Sequence, residues 1–96
     1  MKLKRAEKDK VIAQTWNYIG ETVQDNARIL GYAALSAMDT SVRVAPFRDE
    51  YLMKLGVWIA GKDEEVIEVK ERLEEKLKAL KIKFNAMKWQ EVRERG

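Results

Sequence analysis

The hydrophobic period of this chain changes twice between Tyr51 and Trp89, from two to about 3.6 and back to two. Tyr51, Met53, Leu55, Val57 and Ile59 alternate along one face of an extended segment. Val66, Val69, Leu73, Leu77 and Leu80 then form one stripe of a helix, and Ile82, Phe84 and Ala86 alternate again. Few folds accept that order. A strand, a helix and a second strand normally close a right-handed crossover with the two strands parallel.

The segments before Tyr51 add a hairpin and a helix. Val42 to Phe47 alternate weakly and read as an edge strand, because Pro46 has no N–H to give an interior ladder. Arg48, Asp49 and Glu50 turn the chain into the apolar strand Tyr51–Ala60, which makes the pair a β-hairpin. From about Arg5 to Met38, Ile12, Trp16, Ile19, Val23, Ala27 and Leu30 recur at steps of three or four and predict one long helix. Gly20 and Gly31 each cost a helix about 1 kcal/mol relative to alanine, and a break is expected near Gly31. The same seam continues through Asn26, Ala33 and Ala37. A buried Asn26 needs hydrogen-bond partners and could fix the register of a helix pair; at the stripe's edge it is simply wet. The small residues from Ala33 to Ala37 let another backbone approach closely.

Asp63 is placed to cap the helix that follows, with Glu64 and Glu65 complementing its positive end, and Glu68–Arg72 and Glu74–Lys78 pair along its exposed side. The expected architecture is α+β, in the order α-β-β-α-β. A small three-stranded mixed sheet carries a long N-terminal helix and a crossover helix, and residues 1–96 form a single domain. The competing pattern is one helix from Glu64 to Arg93, since Phe84 and Met87 stay on its stripe and no glycine or proline marks a break. That reading gives a mostly α chain with a long C-terminal helix.

Composition narrows the chemistry. The chain has no cysteine and no histidine, which removes disulfides, thiolate nucleophiles, imidazole bases and most zinc, haem and iron–sulfur ligation. With 46% hydrophobic and 36% charged residues it has enough apolar area to fold without a cofactor, and none is expected. The charge-rich, cysteine-free composition resembles that of thermophile proteins. No apolar run approaches the length of a membrane span, so the expected location is the cytoplasm.

No catalytic signature is present. Glu21 and Asp25 lie one helical turn apart, and Asp49 and Glu50 are adjacent in a turn, but a hard cation needs more oxygens than either pair offers. Gly61-Lys62 lacks the rest of a phosphate loop and is followed by three acids. No catalytic, cofactor or metal residues are assigned, and the chain is not expected to be an enzyme.

The second parity of the strands is the informative one. It carries Leu52, Lys54, Gly56, Trp58 and Ala60 beside Lys83, Asn85, Met87 and Trp89, with Arg43 and Phe47 from the edge strand. The leading expectation is a self-associating interaction module, a homodimer first of all. It would use Trp58, Met87, Trp89 and Leu52 on this face and Trp16, Ile19 and Val23 on the first helix. The alternative is nucleic-acid binding, in which aromatics stack on bases. Lys54, Lys83 and Arg43, with Lys2, Lys4 and Arg5 from a terminus holding five bases and two acids, would then meet phosphates. A pocket for a small apolar ligand between first helix and sheet ranks third, and no membrane partner is expected.

Overall fold

A computed structural model describes residues 10–51 and 54–94, with Asp49 and Lys54 described by their backbone alone. The elements run β1 (Lys10–Gly20), α1 (Val23–Ser36), β2 (Arg43–Asp49), β3 (Lys54–Lys62), α2 (Asp63–Ala79) and β4 (Phe84–Glu94). The class is α+β, but the sheet has four strands, in the order β2-β3-β1-β4, and every neighbouring pair is antiparallel. The expected crossover does join two parallel strands, β3 and β4. They are not neighbours, because β1 is inserted between them and pairs with both. This double split-βαβ arrangement is the ferredoxin-like topology.

The main correction falls on the predicted Arg5–Met38 helix. Among the described residues its first part is the strand β1 and only its second part is helical. Val11, Ile12, Thr15, Trp16, Tyr18 and Ile19 are the β-branched and aromatic residues that favour strands. Their helix-like spacing is coincidental. The chain breaks at Glu21–Thr22 rather than at Gly31, where nothing lies within 4 Å of an added Cβ. Thr22 is the N-cap of α1, its hydroxyl accepting the Asp25 N–H at 3.0 Å. Asn26 is buried rather than wet. Its amide oxygen accepts the Gly20 N–H at 2.8 Å and its Nδ2 donates to the Thr22 carbonyl at 2.9 Å, fixing the strand-to-helix turn. Gly20 is required there, since a Cβ would sit 2.9 Å from that of Asp25.

Both helices pack on one side of the sheet. Tyr18, Val57 and Ile59 from the strands meet Ile29 and Ala33 of α1, its C-cap Ala37, and Val66, Val69, Leu73 and Leu77 of α2 in one core. Each large apolar side chain buried there contributes about 1.5–3 kcal/mol. Leu80, expected on the stripe, is 45% exposed at the helix end, and the turn residue Tyr51, expected inside, is 94% exposed.

The single long C-terminal helix does not form, because α2 ends in a Schellman motif. Lys81 takes the left-handed conformation at φ 59°, its N–H donates to Lys78 and the Ile82 N–H donates back to Leu77 at 2.9 Å. Ile82 and Leu77 are both buried, so the reversal closes over an apolar contact. The cap at the other end also differs from expectation. Lys62 is the N-cap of α2 and makes no side-chain cap bond, while the Asp63 carboxylate accepts from Gln14 Nε2. Arg72 pairs with Glu68 as expected, but Glu74 pairs with Lys70 at 2.7 Å instead of with Lys78. Among the described residues no helix is long and apolar enough to cross a membrane.

Candidate functional site

With both helices on one side, no described element covers the other face of the sheet, and strand register decides what it displays. Ala45, Trp58, Asn17 and Met87 form one cross-strand row, and Arg43, Ala60, Thr15 and Gln90 form the next. Between them β4 carries one extra residue: Trp16 pairs with Lys88 while Thr15 pairs with Gln90, so Trp89 has no partner residue on β1. A bulge of this kind turns successive side chains toward the same face. Trp89 and Gln90 accordingly both line the open side.

The face is a trough. A cleft of about 670 Å³ has Thr15, Asn17, Ile19 and Ala60 in its floor, Phe47, Arg48, Glu50 and Trp58 toward the β2–β3 side, and Met87, Trp89 and Gln90 toward β4. The hollow exists because its central residues are short. Phe47 lies across Gly56, where a Cβ would meet the ring and come within 2.8 Å of the Tyr18 carbonyl oxygen. Glycine is therefore what lets the aromatic fold down onto the sheet. Trp89 is 69% exposed and Met87 52%, whereas Ile19 and Asn17 in the floor are buried. The Asn17 amide and the Trp89 indole N–H have no hydrogen-bond partner among the described residues, and Arg48 and Glu50 make no ion pair there.

Trp58, Met87, Trp89 and Ile19 of the predicted interface thus come together, although Ile19 arrives from β1 and not from a helix. Trp16 and Val23 do not join them. Val23 is exposed at the start of α1, and Trp16 lies on the covered side, its Nε1–H donated to Gln14 and its ring under Lys70 Nζ at 4.4 Å and Lys88 Nζ at 5.8 Å. Beside it the buried Tyr18 hydroxyl donates to Glu74 at 2.7 Å. Burial first, and then the Glu74 carboxylate, holds that phenol far above its ordinary range. Of the residues named for nucleic acid, Arg43 and Lys83 are exposed, Arg43 on the open face and Lys83 just before β4. Leu52, Lys2, Lys4, Arg5 and the Lys54 side chain lie outside what is described.

Thr15, Asn17, Phe47, Arg48, Glu50 and Gln90 were not singled out as interface residues. Phe47 carried a parity signal; the polar ones gave none, because they enter the cleft through pairing and a bulge. Among the described residues no three acidic side chains converge to hold a metal ion, and Asp25 stands in the first turn of α1. Lys88 at 2.8 Å and Arg93 at 2.7 Å hold the Glu91 carboxyl below its ordinary range at the far end of β4. No protein-family model matches the chain, and no curated protein matches it.

Proposed function

We propose that this chain is an association module, acting by binding rather than catalysis, whose open sheet face is covered by a second copy of itself. The observation that supports this reading is the one-sided placement of the helices, which leaves Ile19, Phe47, Trp58, Met87 and Trp89 around an uncovered cleft. A tryptophan side chain offers up to about 250 Å². Covering the exposed part of Trp89 on both copies contributes at most roughly 9 kcal/mol in all at about 25 cal/mol per Å². Association costs about 4–15 kcal/mol, so Met87 and its neighbours must add to it and weak association is expected. Sedimentation equilibrium from micromolar to near-millimolar chain should show a monomer–dimer transition that Trp89→Ser weakens at least tenfold. A monomer throughout that range would refute the reading.

Single-stranded nucleic acid is the second reading, favoured by one observation. Phe47, Trp58 and Trp89 share a sheet face with Arg43, while α2 on the covered side holds seven acids against four bases. Bases would stack on the aromatics and phosphates would follow the cations. It requires quenching of tryptophan emission by short oligonucleotides at low salt, with affinity falling as salt rises. Unchanged emission at 50 μM oligonucleotide, a concentration chosen on the order of a weak non-specific Kd, would dispose of it.

A further inference from the structure

We infer that the two copies meet by reciprocal exchange: the Trp89 indole of each enters the cleft of the other and donates its Nε1–H to the Asn17 amide oxygen. This inference rests on the reading of the open face as a self-association face. Two features of one surface complement each other. In shape, the bulge leaves Trp89 69% exposed on the wall of a hollow of about 670 Å³ that it does not fill. In hydrogen bonding, an indole N–H can only donate and seeks an acceptor when buried. Asn17, 9% exposed in the cleft floor, offers an amide oxygen with no partner among the described residues.

A knob and its hole and a donor and its acceptor, on one face of one chain, are what a twofold contact requires, because each copy supplies the complement of the other. Sheets packed face to face stand about 10 Å apart, which an indole can span. The axis then passes over the β1–β4 pair near Met87, the cross-strand neighbour of Asn17. In that arrangement the two Met87 side chains face each other.

The absence of cysteine makes the arrangement directly testable. Under mild oxidation at concentrations where the dimer forms, Met87→Cys should give a covalent dimer within minutes, while Glu75→Cys on the exposed side of α2 should not. Trp89→Phe and Asn17→Leu, each checked for native circular dichroism, should each weaken association about tenfold, and the double variant should be no weaker than either single one. If the dimer forms but Met87→Cys stays unlinked, or the two substitutions act additively, the exchange is wrong and the open-face reading survives. If no dimer forms at any concentration, both fall.

Discussion

Trp16 and Trp89 sit on the same strand pair and meet opposite fates. Trp16 faces the helices: its N–H is accepted by Gln14, Gln14 in turn donates to Asp63, and two lysines cover its ring. Trp89 faces away, 69% exposed, its N–H unmatched among the described residues. The same residue type thus does two jobs. On the covered side no buried side-chain polar atom among the described residues lacks a partner, and the side chain contributes to folding. On the open side the apolar area and the polar groups are both left over, and whatever they contribute must come from outside the monomer.

That contrast can be broken at several points. The largest effect should come from the covered side, where Leu73→Ala opens a cavity beneath α2 and should cost about 2–5 kcal/mol in urea unfolding. A loss under 1 kcal/mol, well below that cavity range, would mean that the helix layer is not the core. Tyr18→Phe should cost on the order of 1 kcal/mol by removing the hydroxyl donated to Glu74. It also carries a pH signature. Because the folded phenol is raised above its unfolded value, the stability it contributes is present below pH 10 or so and is lost as pH rises further, when only the unfolded chain ionises. Tyr18→Phe should flatten part of that alkaline decline, measured as unfolding free energy between about pH 8 and 11. The smallest effect belongs to the open side. In dilute, monomeric protein Trp89→Ser should change unfolding free energy by less than about 0.5 kcal/mol. A larger loss would place Trp89 in the fold and erase the contrast.

How much of this was legible in the residues follows the same division. From Val57 onward local periodicity and tertiary structure agree except at Leu80, exposed at the end of α2: the inward residues Ile59, Val66, Leu73 and Ile82 are buried, and Trp58, Met87 and Trp89 are gathered on the other face. Before Gly20 they disagree. β1 lies between two strands and has residues to place on both sides, Gln14 and Tyr18 toward the helices and Asn17 and Ile19 toward the cleft, so its burial shows no period of two. A register shift near Ile12 disturbs the alternation further. Thr22, three residues before Asp25, was the local signal for a helix start, overridden by an apolar spacing that continued across it. Strand order had no local signal at all. That β1 separates β3 from β4 is a long-range choice, and the cleft depends on it.

The extra residue at Trp89 also bears on where an assembly stops. β4 is an eleven-residue edge strand without proline, the kind of edge on which further strands can be added in the plane of the sheet without limit. The bulge throws its outward N–H and C=O groups out of step with any straight neighbour, and Lys88, Glu91 and Arg93 place charges beside the break. Growth along the sheet is thereby discouraged, whereas the proposed contact through the face would be complete with two chains. In that dimer one inserted residue would separate finite pairing from open-ended polymerisation.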